Sequence, residues 1–126
     1  MIRGIGCDLV EIARIARASK KSRFLANIYS ENELEIYYQN NCMEFLAGNF
    51  AAKEAIVKAA GIGFRGFLPR EIEILRNDLG APYVVLSNIA KEKLMISEDC
   101  AIHISISNIK KIAMAMAIIS KNGVMF

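Results

Sequence analysis

The chain has 126 residues, a length that suits one domain around one core. Its hydrophobic share of 54%, with a mean hydropathy of +0.29, exceeds what a domain of this size can bury alone and predicts a subunit interface. A net charge of +3 gives no general affinity for nucleic acid, and no uncharged apolar run reaches the length of roughly eighteen residues that a membrane-spanning helix needs.

Met1-Ile2-Arg3-Gly4 runs directly into a structured pattern and does not read as a signal peptide. Residues 2–10 alternate as a strand, with Ile5, Cys7 and Leu9 on one face and Gly4, Gly6, Asp8 and Val10 on the other. Glycines beside Asp8 leave room for something to approach the backbone closely. Glu11 to Lys20 reads as a helix, with Ile12, Ile15 and Ala16 at helical spacing, and a short helical turn follows from Ser22 to Ile28. Ser30 and Glu33 form a capping box, so a helix starts near Glu31 and covers Leu34 to Tyr38. Asn41 and Glu44 repeat that signal more weakly ahead of the longest helix, which runs from Cys42 to Ala60 and ends at Gly61.

Gly61-Ile62-Gly63-Phe64-Arg65-Gly66 is a loop. Ile72, Ile74 and Leu75 predict a strand, Asn77-Asp78-Leu79-Gly80 a turn, and Pro82 to Leu86 the hairpin partner. Ser87 can cap a helix over Ile89 to Met95. Two further strands, Cys100 to Ser107 and Ile112 to Ser120, flank Asn108-Ile109-Lys110-Lys111. The last carries Ala113, Ala115 and Ala117 on one face, which permits close packing by a helix, a second sheet or another subunit. Helices and antiparallel hairpins in this order give an α+β fold, an antiparallel sheet packed with a long central helix, in one domain over 1–126. Cys7, Cys42 and Cys100 make no C-x-x-C pair and predict buried free thiols in a reducing cytosol.

Two segments carry chemistry. Aspartate is disfavoured inside strands, so Asp8 is either a strand-end carboxylate capping the next helix or a cation ligand. Glu54 and Lys58 stand at i and i+4, the spacing of an ordinary surface ion pair. Their helix is apolar around them (Phe50, Ala51, Ala52, Ala55, Ile56, Val57), and covered charges need partners, which a metal with a phosphate would supply. Magnesium takes one or two protein carboxylates and completes its shell with water and phosphate oxygens, so Asp8 and Glu54 suit it. His103, the sole histidine, alternates with Ile102 and Ile104 and shares a polar face with Ser105 and Ser107, which favours a ligand-facing role. Arg14, Arg17, Lys20, Lys21 and Arg23 have no acid among them. They form either a solvated face or a docking surface for an acidic protein, and nearby aromatics are too few to stack nucleic-acid bases.

These residues resemble a known family. Gly4-Ile5-Gly6-Cys7-Asp8, followed by Arg14-Ile15, is similar to the N-terminal signature of the holo-[acyl-carrier-protein] synthases, the small bacterial phosphopantetheinyl transferases. Phe45-Leu46-Ala47-Gly48 and then Phe50, Lys53-Glu54-Ala55, Lys58-Ala59 and Gly61 resemble that family's central signature. The resemblance implies transfer of the 4′-phosphopantetheine arm of coenzyme A to a serine of apo acyl-carrier protein, with release of adenosine 3′,5′-bisphosphate. It implies Mg²⁺ at Asp8 and Glu54, with Lys58 completing the catalytic set. It places Lys53, Lys58, Gly61, Arg65, His103 and Ser105 at the coenzyme, and Arg14, Lys21 and Arg23 against the acidic carrier protein. It also implies a cytoplasmic homotrimer with active sites between subunits. The serine proton needs a base, for which a water at the metal and one of the carboxylates both fit. Many members carry H-x-S-x-x-H; here the pattern ends in Asn108, which can donate a hydrogen bond but cannot carry a proton near neutral pH. A second reading, a non-catalytic basic module that binds an acidic protein or RNA through residues 14–23, leaves Asp8, Glu54 and Lys58 unexplained.

Overall fold

The computed structural model describes residues 1–122. The chain runs β1 (Ile2–Glu11), α1 (Ile12–Ala18), α2 (Ser22–Ile28), α3 (Glu31–Asn40), α4 (Met43–Ala60), β2 (Ile72–Arg76), β3 (Pro82–Leu86), α5 (Asn88–Lys93), β4 (Cys100–Asn108) and β5 (Ile112–Lys121). β1, β5 and β4 form one antiparallel sheet in that order, and β2 and β3 form a separate hairpin. The fold is α+β, as the order of elements implied.

The core is the contact between α4 and the large sheet. A Cβ added to Gly4 would stand 1.8 Å from the carbonyl oxygen of Ala59, and one on Gly6 would stand 2.0 Å from that of Ala55. The two glycines therefore make room for the backbone of α4 itself. β5 turns Ala113, Ala115 and Ala117 to the same helix, and all three are buried with Ala51, Ala52, Ala55 and Ala59 of α4. Small residues on both sides let the helix and sheet meet closely, and Leu46, Ile56 and Ile119 fill the space around them. The alanine face of β5 is thus core packing.

Local signals set most of the boundaries. Ser30 Oγ accepts from the Glu33 N–H at 3.2 Å, and the Glu33 carboxylate accepts from the Ser30 N–H at 3.0 Å, completing the capping box of α3. Ser87 caps α5 through the Ala90 N–H, although that helix ends at Lys93, ahead of Met95, which takes a positive φ of 58°. α1 is also shorter than expected, ending at Ala18. Asn41, expected to begin α4, instead ends α3 in the left-handed conformation at φ 48°, and α4 starts after Cys42 without a side-chain cap. Asparagine tolerates that conformation, and its backbone N–H donates to the Tyr37 carbonyl at 2.6 Å, so the residue closes the C-terminus of α3 and does not open the next helix.

The other face of the large sheet is uncovered in the protomer. Ile5 and Leu9 of β1 are 61% and 68% exposed, and Ile112, Met114 and Met116 of β5 are exposed beside them. Cys7 lies on this face and is exposed, while Cys42 and Cys100 are half-buried, so the expectation of three buried thiols is corrected. All three are free.

Candidate active site

β1 and α4 bring the two sequence segments together. The Lys58 ammonium donates to Asp8 Oδ1 at 3.1 Å and to the Cys7 carbonyl at 3.1 Å. The Asp8 side chain is 17% exposed and that of Lys58 55%, so the pair stands at the lip of a groove of about 440 Å³ lined by Cys7, Asp8, Leu9, Lys58 and Met114. The helix-capping alternative for Asp8 is set aside, because α1 begins at Ile12, its N-cap position is Glu11 with no side-chain cap, and Asp8 bonds to α4. The ordinary Glu54–Lys58 ion pair gives way likewise, since Lys58 turns to β1. That contact raises the pKa of Lys58, first through its hydrogen bond to Asp8.

Glu54 sits half-buried one helical turn before Lys58. Burial raises its pKa, and the Asp8 carboxylate raises it further, while Lys58 and Arg14 pull it partly back. Asp8 and Glu54 are therefore near enough to repel each other. Two carboxylates that repel each other, one of them at the groove edge, fit a hard divalent cation, which would offset the repulsion. Among the described residues no cluster of three or more His, Cys, Asp or Glu side chains forms, so a cation held here would take its other ligands from water and substrate oxygens.

Lys53, expected at the coenzyme, is placed elsewhere. It is 1% exposed, and its ammonium donates to Glu33 Oε1 at 2.6 Å, to the Pro69 carbonyl at 3.1 Å and to the Ile72 carbonyl. Three donors meet three protein acceptors, which leaves none for a ligand. Burial lowers its pKa, and Glu33 opposes the shift. The premise that covered charges on α4 need partners holds, but for Lys53 the partner is a carboxylate from α3. Sequence reasoning used Glu33 only as a capping residue; a lysine flanked by Ala51, Ala52, Ala55 and Ile56 was the sign that a buried anion had to exist.

The remaining residues divide by side. Arg14, Lys21 and Arg23 are exposed on α1, its following turn and α2, and Arg14 acts electrostatically on Glu54, so the basic surface adjoins the groove. Gly61 ends α4 at φ 80°, and Arg65 is exposed in the loop beyond it. His103 and Ser105 are exposed on the uncovered sheet face, paired in register with Ile118 and Met116, and the His103 Nε2 lies 3.2 Å from Ser120 Oγ. Asp8 pairs with Ala115 on the opposite face. Within one protomer His103 and Ser105 therefore do not join Asp8, Glu54 and Lys58.

A model of the 4′-phosphopantetheinyl transferase superfamily matches residues 4–116. The holo-[acyl-carrier-protein] synthases of Fusobacterium nucleatum and Alkaliphilus oremlandii are 50% and 48% identical to the chain, over 94% of it and 99% and 98% of their own lengths. Among solved structures, the holo-[acyl-carrier-protein] synthase of Neisseria meningitidis superposes with a TM-score of 0.87 at 33% identity, covering 96% of this chain and all of that one. The synthase of Bacillus anthracis, crystallised in complex with CoA (3′,5′-ADP), superposes with a TM-score of 0.81 at 32% identity, covering 97% and 99%. The chain belongs to the 4′-phosphopantetheinyl transferase superfamily and, within it, to the holo-[acyl-carrier-protein] synthases. It is a phosphopantetheinyl transferase, which sets aside the non-catalytic module.

Proposed function

We propose that the enzyme transfers 4′-phosphopantetheine from coenzyme A to a serine hydroxyl of apo acyl-carrier protein, releases adenosine 3′,5′-bisphosphate, and so supports fatty acid biosynthesis in the cytoplasm. The observation that carries this is the Lys58–Asp8 hydrogen bond at the groove edge, between residues 50 positions apart, with Glu54 one helical turn before Lys58 and under the electrostatic influence of Asp8. The coenzyme A complex of the Bacillus anthracis relative supports the donor.

In the transfer, the serine oxygen forms a bond to the β-phosphorus of the coenzyme pyrophosphate. The bond from that phosphorus to the bridging oxygen breaks, and its electron pair leaves with the adenosine bisphosphate. The serine proton passes to a carboxylate or water at the groove edge. Asp8 and Glu54 would hold Mg²⁺, which when bound offsets charge on the pyrophosphate oxygens. Lys58 offsets Asp8 in the free chain, and its exposed ammonium on a long stem can turn to a phosphate oxygen once substrate arrives. Arg65 in the loop after Gly61 faces the nucleotide. Arg14, Lys21 and Arg23 steer the acidic carrier protein toward the groove that Arg14 borders.

The working unit is a homotrimer with its active sites between subunits. The apolar sheet face needs a partner copy, and His103 and Ser105 look out from that same face, so they serve a groove that a neighbour completes. The test is to incubate the chain with coenzyme A, Mg²⁺ and apo acyl-carrier protein and then weigh the carrier. A gain of one phosphopantetheine is expected; an unchanged mass overturns the reading.

A further inference from the structure

The loop between α4 and β2 is tied at both ends to the same two turns of α4. At its start, the Gly61 N–H donates to the Lys58 carbonyl at 3.0 Å, and the Ile62 N–H donates to that of Val57 at 3.2 Å. At its end, the Lys53 ammonium holds the carbonyls of Pro69 and Ile72. Glu54 lies between these two attachments, and Lys58 carries the first of them.

The second tie is set in a closed polar network. Glu33, Asn49 and Lys53 are all essentially buried. Besides Lys53, the Glu33 carboxylate accepts from Asn49 Nδ2 at 2.8 Å and from the Ile74 N–H at 3.4 Å. Asn49 Nδ2 also donates to the Ile74 carbonyl at 2.9 Å, and Arg76 donates to Asn49 Oδ1 at 2.8 Å. α3, α4 and the β2–β3 hairpin are thereby locked in one arrangement. A buried ion pair is a poor source of stability, because a hydrophobic replacement of like volume is often as stable. What such a pair supplies is a fixed geometry: three donors on one ammonium fix where three acceptors must be.

We infer that Lys53, held by Glu33, is a positioning residue that sets the Gly61–Leu68 loop over the nucleotide of coenzyme A in fixed relation to Glu54 and Lys58. The inference rests on the coenzyme A reading above and deepens it. Phe67 is buried with the Phe64 ring 5.3 Å away, so the loop has an apolar footing of its own. The strap then determines the loop's span and not whether it exists. Loss of the strap loosens the loop and weakens the coenzyme, while the carrier protein, which meets α1 and α2, is unaffected.

Lys53→Met alone would strand the Glu33 carboxylate in the core, so it is combined with Glu33→Gln, which leaves no buried charge. Lys53→Gln with Glu33→Gln, one atom shorter and still neutral, is the second variant. Each is compared with the parent for coenzyme A affinity by calorimetry, for KM of coenzyme A and of carrier protein, and for amide exchange. Expected are exchange about tenfold faster at the amides between Ile62 and Leu68, a coenzyme A dissociation constant raised about tenfold, and a carrier KM within about twofold of the parent. Unchanged loop exchange, coenzyme A binding within about twofold of the parent, or an equal rise in both KM values overturns the strap as a positioning device. So does failure of both variants to fold, which makes the pair purely structural. Calorimetry needs no turnover, so a parent chain that binds coenzyme A without modifying the carrier sinks the transferase reading alone.

Discussion

The Lys58 ammonium and the Asp8 carboxylate meet at 3.1 Å across the junction of α4 and β1. This contact places the acid of the N-terminal motif beside the helix that carries Glu54. It also shows why neither acid alone defines the site: Asp8 is set by a strand, Glu54 by a helix, and only the packing of one on the other joins them.

Asp8→Ala and Glu54→Ala should each lower Mg²⁺-dependent transfer by about 100-fold or more, the scale of losing one fixed electrostatic contact in an active site. Asp8 lies at the groove edge and Glu54 is only half-buried, so circular dichroism should show a folded chain. Wild-type turnover in either variant would remove that residue from the site.

The raised pKa of Glu54 sets a pH dependence. Just above its ordinary value of 4.5, the folded chain holds a proton that the unfolded chain has lost. Stability of the metal-free protein should therefore fall as pH rises through that window and level off once Glu54 is ionised. Urea melts at successive pH values should show the decline in the parent and lose it in Glu54→Gln. Mg²⁺ added above the window should raise the melting temperature, since it binds the ionised site, and a parent with no Mg²⁺-dependent shift would argue against the carboxylate pair as ligands.

Much of this was legible before any coordinates. The capping box at Ser30 and Glu33, the β2–β3 hairpin and the alternation of β1, β4 and β5 are local patterns, and the structure keeps them. The glycines and alanines announced a close approach, but not which element would make it, because that depends on a pairing distant in sequence. Lys53 shows the same limit. Its apolar setting called for a partner, yet the choice between a phosphate and Glu33 was made by how α3 docks on α4. His103 and Ser105 were correctly placed on one exposed strand face, but a face alone does not say which groove it serves.

Arg14→Glu should raise KM for the carrier protein by about tenfold or more while leaving that for coenzyme A within about twofold. Because Arg14 also pulls the pKa of Glu54 down, its reversal should shift the acid limb of the rate profile to higher pH. Equal effects on both substrates would count against α1 as the docking surface.

Ile5→Glu combined with Met116→Lys puts charges on the uncovered sheet face at two residues that do not line the groove of Asp8 and Lys58. Light scattering should report a trimer for the parent and a folded monomer for the variant, with transfer lost through dissociation. A variant that keeps the parent mass would show that this face is not the interface.

Gly6→Ala should cost about 3 kcal/mol, since the added methyl would displace main chain rather than a side chain. A thermal melt should shift down by roughly 10 °C. A shift within about 2 °C would mean that the strand and helix can separate at little cost.

That main-chain contact has a consequence for how the enzyme tolerates change. Since Gly4 and Gly6 seat the strand directly on helix carbonyls, the spacing between the main-chain segments that carry Asp8 and Glu54 is set by peptide contact. A single methyl at either glycine prises the acids apart, so these two residues, which carry no functional group, govern the calibre of the catalytic mouth.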